Sequence, residues 1–218
     1  MKIYISISNL FTSNDIKIKN INLNKVNFDL NKKNYNFFVK LLNSNFSNSN
    51  LEIKNSNIFY RNIENEVLFI NKIDRLKYYY DLKDNKNTFV AKNEIFNIPY
   101  TVELKHHKDE KKIVTKVNFD FLKLQVKNIL SYKQFQKNGL IEFTYNKNKS
   151  EGTYQLNNNL FNFNFISKSQ GNNFKYQGAI NLIPFFSEIS GDMDIINLDK
   201  FFNPDAILTQ LFKSELLN

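Results

Sequence analysis

The chain has no cysteine and no tryptophan, and its 218 residues include only 5 glycines and 3 prolines. Without cysteine there is no disulfide framework and no thiolate metal site, and the redox compartment stays open. So little Gly and Pro argues against a small barrel punctuated by tight turns, because those residues supply the backbone angles that most turns need. No apolar run reaches the ~18 residues of a membrane-spanning helix. The opening "MKIYISISNLF" has a positive residue and several apolar ones, but Ser6, Ser8 and Asn9 interrupt it and no small-residue cleavage pattern follows. Walker loop, dinucleotide fingerprint, nucleophile elbow and zinc spacing are all missing, so the expectation is a protein that is not an enzyme and uses no cofactor.

What is abundant is aromatic and basic: 22 Phe, 11 Tyr and a formal charge of +9. That charge invites an acidic partner, either nucleic acid or an anionic lipid surface. The basic residues are scattered rather than clustered, however. The preference for Lys, Asn, Ile, Phe and Tyr over Ala, Gly and Arg is also what AT-rich coding produces, so nucleic-acid binding stands only as a third reading, supported by the charge alone.

Period-two alternation dominates. "KIYISI" puts Ile3, Ile5 and Ile7 on one face; Ile16 and Ile18, then Ile21 and Leu23, then Val26, Phe28 and Leu30 follow, with phase slips near Asn20 and Lys25 that predict bulges or tight turns. Phe37, Phe38, Leu41 and Leu42 then fall at helical spacing and predict a short helix over 34–46. Strands resume at Leu51 and continue through "EVLFINKI", "RLKYYYDL", "PYTVELKHH" and "KIVTKVNFDF". A further short helix fits Val126 to Tyr132, and "GLIEFTYN", "GTYQLNN", "LFNFNFIS" and "FKYQGAINL" read as four more strands. In "NPDAILTQLFKSELL", Asn203 as N-cap, Pro204 at the first helical position and the stripe Ile207, Leu208, Leu211 and Phe212 predict a helix over 203–217. No linker composition marks a domain boundary, so residues 1–218 read as one β segment.

The polar constellations have plain explanations. His106 and His107 lie near Glu103, Asp109 and Glu110, but adjacent strand residues face opposite ways, so a solvated hairpin tip is expected and no metal site. Asp192 and Asp194 share a strand face without a base or a third ligand. Of Tyr78, Tyr79 and Tyr80, only Tyr78 and Tyr80 could cooperate, which favours packing over a nucleic-acid stacking platform.

The apolar faces pose the sharper question. Ile141, Phe143 and Tyr145, then Phe161, Phe163 and Phe165, then Phe174, Tyr176, Ile180 and Leu182 alternate with polar residues over three strands. About a dozen strands at ~4.8 Å spacing give a sheet on the order of 50 Å wide. Two or three short helices cannot cover that. The sheet must fold into a sandwich with a dry core, close into a barrel, or leave an apolar trough for something that is not protein. The expected helices and the lack of aromatic girdles at strand ends weigh against a membrane barrel.

The stretches "NLEIKNSNIFYRN", "EVLFINKIDRLKYYYD", "AKNEIFNIPYTVEL" and "FKYQGAINLIPFFSEISGDMDIINLDKFF" resemble the AsmA-like family of bacterial envelope proteins, and with it the wider class of repeating β-groove, bridge-like lipid-transfer proteins. The resemblance covers roughly Leu51 to Phe202. It implies a mainly β fold: a long curved antiparallel sheet forming an open apolar groove, U-shaped in section, with two or three short helices. It further implies a non-enzymatic role, holding or conducting phospholipid acyl chains between inner and outer membrane, with outer-membrane lipid homeostasis or assembly as the process. The ten residues from Ile141 to Leu182 named above would line the groove, phospholipids would be the partners, and nucleic acid would not. The location implied is the periplasm, with inner-membrane association through a segment outside this chain, which would then be an internal piece of a longer protein. The alternative is a periplasmic β-sandwich acting as a binding or scaffold module.

Overall fold

The computed structural model describes residues 2–5, 18–31, 50–62, 64–132, 137–169, 172–182 and 185–193. Every regular element among them is a β-strand. The helices expected over 34–46 and 203–217 lie outside the described residues. The chain divides into two compact units, 1–106 and 107–218.

Unit 1 holds β1 (Lys2–Ile5), β2 (Ile18–Asn24), β3 (Asn27–Leu30), β4 (Asn50–Arg61), β5 (Val67–Asp81), β6 (Lys86–Ile95) and most of β7 (Ile98–His107). Its strand order is β1-β2-β4-β5-β6-β7, with β3 also on β4. The pairing is not wholly antiparallel as expected, since β2 and β3 both run parallel to β4. Parallel neighbours need a long crossover rather than a hairpin, and periodicity of side chains does not distinguish the two directions.

The two phase slips read from the sequence coincide with breaks in pairing. Ile5 pairs with Ile18 and Tyr4 with Asn20, leaving Lys19 as an extra residue. Lys25 has φ 55 and separates β2 from β3. Asn55 on β4 has φ 47, and Asp74 interrupts the register of β5 with β6. Three adjacent strands therefore bend at one level. Ser56, buried there, satisfies the backbone at the bend: its Oγ accepts from the Val26 N–H at 3.1 Å and donates to the Lys54 carbonyl at 2.7 Å. Past the bend, Ile53, Leu76, Tyr78 and Ala91 on one side and Ile73 on the other form a buried cluster, with Leu23, Phe28, Leu51, Ile58 and Phe89 against it.

Unit 2 holds β8 (Lys112–Phe119), β9 (Leu124–Ser131), β10 (Lys137–Tyr145), β11 (Asn148–Asn157), β12 (Leu160–Ser169), β13 (Asn172–Leu182) and β14 (Phe185–Met193). They pair antiparallel in chain order, and the ladder stays open. The short helix that fits Val126 to Tyr132 is absent: residues 126–131 belong to β9, and Tyr132 follows it. Val126, Asn128 and Leu130 face Val117, Thr115 and Ile113 on one side and Phe143, Ile141 and Gly139 on the other. A spacing of 126, 129 and 130 suits a helix as well as a strand, and pairing on both edges decides it.

Scarce glycine does not prevent tight turns, because asparagine, lysine and, at one position, Phe96 take the left-handed positions instead. Two-residue turns join β6 to β7 through Phe96 (φ 50) and Asn97 (φ 59), and β10 to β11 through Asn146 (φ 45) and Lys147 (φ 69). Consecutive left-handed residues match the twist of the flanking strands, and Asn tolerates that conformation better than most side chains.

Candidate apolar binding face

In an antiparallel ladder, directly opposed residues share a face, so register alone decides which side chains come together. On β10, Ile141, Phe143 and Tyr145 oppose Gly152, Ser150 and Asn148 of β11. On β11, Gly152, Tyr154 and Leu156 oppose Phe165, Phe163 and Phe161 of β12. These three rings oppose Tyr176, Gly178 and Ile180 of β13, and Phe174 and Leu182 continue that row of β13 in register. All ten residues singled out in the sequence therefore occupy one face of unit 2. At Phe174 and Leu182 only the backbone is described.

The rings form a continuous chain. Centroid separations are 5.2 Å from Tyr154 to Phe161, 5.9 Å from Phe161 to Phe163, 5.5 Å from Phe163 to Phe165 and 5.9 Å from Phe165 to Phe143. All four pairs are tilted rather than face to face, the arrangement that the ring quadrupoles prefer. Tyr154 also reaches across β10, where its hydroxyl donates to Asn128 Oδ1 at 2.9 Å. The same face extends over β8 and β9 through Ile113, Val117, Phe119, Leu124, Val126 and Leu130. Sequence reasoning did not join these to the ten.

This face is apolar yet not sealed. Ile141, Phe143, Tyr145, Phe161, Phe163, Phe165, Tyr176 and Ile180 are each half-buried, and on β14 Ile189 is 61% exposed. Among the described residues of unit 2, the close strand contacts run between ladder neighbours, and none of these rings is fully buried. A dry sandwich core would bury them.

Glycines complete the face. A side chain at Gly139 would collide with the Tyr154 ring, and one at Gly152 with the Phe165 ring. Each of those rings comes from the residue directly opposite on the next strand. Gly178 faces Phe163 and also the Glu188 carbonyl. An isolated Gly inside a strand pattern signals close approach of a neighbour, so "NGL", "EGT" and "QGA" carried that signal in the sequence.

The opposite face of unit 2 is mostly polar, with Lys116, Asn118, Gln125, Glu151, Gln155, Asn164, Lys175 and Gln177, interrupted by the row Val114, Ile129 and Leu140. Lys127 donates to Glu142 at 2.8 Å across that face. Unit 1 has a different balance. Tyr78 and Ile73 are only 2% exposed there, and burial pushes the Tyr78 phenol up to about 12. On its polar side, burial opposes ionisation of Glu52, but hydrogen bonds from Arg75 and Lys54 outweigh it and hold the carboxyl below its usual range.

The polar constellations separate as the strand geometry requires. His106 is buried, a correction to the solvated tip expected of it, while His107 lies 3.7 Å from Glu110. Among the described residues no group of three His, Cys, Asp or Glu could hold a metal ion. Asp192 is exposed opposite Lys175, and Asp194 lies outside the described residues. Tyr78 is a core residue, not a stacking platform. No helix among the described residues is long and apolar enough to cross a membrane. Comparison with family models, with curated proteins and with solved structures gives no match.

Proposed function

We propose that the chain is a non-enzymatic lipid-holding protein whose apolar face accommodates phospholipid acyl chains. The observation that carries this reading is the half-buried run of rings on one face of unit 2, continuous from Tyr154 to Phe143 and left unsealed in the structure. Soluble proteins rarely leave a contiguous apolar surface of this kind without an occupant. An acyl chain fits its chemistry. Each methylene taken from water contributes about 0.8 kcal/mol, no directed hydrogen bond is needed, and the polar head group can stay wet at the edge of the sheet.

The finer picture follows the resemblance to AsmA-like envelope proteins: the sheet curves into a groove, acyl chains pass along it between inner and outer membrane, and the protein resides in the periplasm, tied to the inner membrane by a segment outside this chain. Movement would be passive, because burial of a methylene is non-directional and successive ring centroids lie only 5.2–5.9 Å apart.

Native mass spectrometry tests the reading on the full chain expressed in a Gram-negative periplasm and purified without detergent. Co-purifying phospholipid is expected, and Asp at Phe161, Phe163 and Phe165 together should remove it while circular dichroism retains the strand signal. A lipid-free protein that unfolds with the same substitutions would make the rings an ordinary core and end the proposal.

A further inference from the structure

We infer that Gly152 is a positioning residue that sets the depth of the apolar face, and that Gly139 does the same one strand away; this rests on the acyl-chain reading above. Phe165 lies directly opposite Gly152, and its ring occupies the space a side chain at Gly152 would take. Tyr154 stands in the same relation to Gly139. In both cases the listing ring comes from the strand that follows in the chain, so both rings lean toward the start of unit 2. Without a Cβ beneath them they rest on the neighbouring backbone instead of standing out from the sheet.

The consequence is a low floor. Along β12, Phe161, Phe163 and Phe165 take alternate positions and cover ~13 Å of strand. Phe165 leans over Gly152 and touches Phe143 at 5.9 Å, which carries the apolar row onto β10. Tyr154 leans over Gly139 far enough for its hydroxyl to reach Asn128, which fixes the ring in that posture. A shallow floor of leaning rings suits an unbranched acyl chain lying on it.

A larger residue at Gly152 removes the resting place and erects Phe165 into the space the ligand uses. Valine is the informative choice because it favours strand geometry, so the sheet itself is not penalised. Its effect should disappear when the displaced ring is removed, a rescue that a merely structural role for Gly152 would not give.

The experiment titrates the 218-residue chain with a fluorescent long-chain fatty acid. Wild type should bind; Gly152→Val should weaken binding by about tenfold, as expected when two methylenes or so lose their contact. The double variant Gly152→Val/Phe165→Ala should bind like Phe165→Ala alone. Gly139→Val provides a second case, expected to weaken binding and, by displacing Tyr154, to alter the near-ultraviolet dichroism of the tyrosines. Unchanged binding in both valine variants, or a folded double variant that binds more weakly than Phe165→Ala alone, overturns the positioning role and leaves the lipid reading standing. Wild type that fails to bind the probe overturns the lipid reading itself, and the positioning role with it.

Discussion

Asn87 and Tyr78 sit near one another in unit 1 and place opposite demands on it. Asn87 is fully buried, and neither its Oδ1 nor its Nδ2 has a hydrogen-bond partner. A buried polar group left unpaired costs about 1–3 kcal/mol, so Asn87→Leu, similar in volume and apolar, should raise the unfolding free energy measured in urea by a comparable amount and the midpoint with it. A lower midpoint would mean that the amide is satisfied in solution. Tyr78 acts through pH. Its phenol titrates at about 12 in the folded chain against 10.0 when exposed, because burial disfavours the charged form. The stability this represents is complete below pH 10.0 and is lost as pH rises toward 12, in total roughly 3 kcal/mol. Tyr78→Phe should flatten that alkaline limb in urea titrations on either side of the exposed pKa. An unchanged limb would place the effect on other groups, such as Tyr100 and Tyr132, whose phenols burial also raises. At this scale the sequence was legible where alternation was strict: Phe161, Phe163 and Phe165 share a face as read. Burial of His106 and Asn87 was not legible, since a polar side chain carries no mark of what surrounds it.

At the level of elements, turns show why glycine content misleads. The β6–β7 turn asks two consecutive residues to take positive φ and fills the first with Phe96, 46% exposed. A bulky side chain there costs roughly 1–2 kcal/mol in backbone sterics. Replacing Phe96–Asn97 by Asn-Gly should therefore raise stability by about 1 kcal/mol in denaturant melts, less whatever the contact of Phe96 with Phe69 contributes. A loss of stability would show that this ring contact outweighs the strain. Strands were readable because alternation survives in nearly every one, and phase slips at Asn20 and Lys25 located real breaks in pairing. Strand direction was not readable. Nothing in the pattern of β2 and β3 distinguishes parallel from antiparallel partners, and β9 looked helical until both of its neighbours were in place.

For the molecule as a whole, two open β units carry apolar surface to unequal ends. Unit 1 buries a compact cluster around Ile73 and Tyr78, whereas the rings of unit 2 are only half-buried. That contrast is the physical basis for placing the ligand on unit 2. It was partly legible in advance, because the sequence supplied more apolar strand face than its expected helices could cover. What the sequence did not reveal is that glycines opposite the rings lower the floor on which they lie.

The absence of tryptophan makes the central claim directly measurable. A single Trp introduced as Phe161→Trp reports from the apolar face, and one introduced as Asn164→Trp reports from the opposite, exposed face of the same strand. Both variants are titrated with phospholipid carrying bromine on its acyl chains, which quenches indole fluorescence on contact. The account predicts strong quenching of the tryptophan at position 161 and little at position 164. Equal quenching at both positions, or none at either in a folded protein, would contradict it.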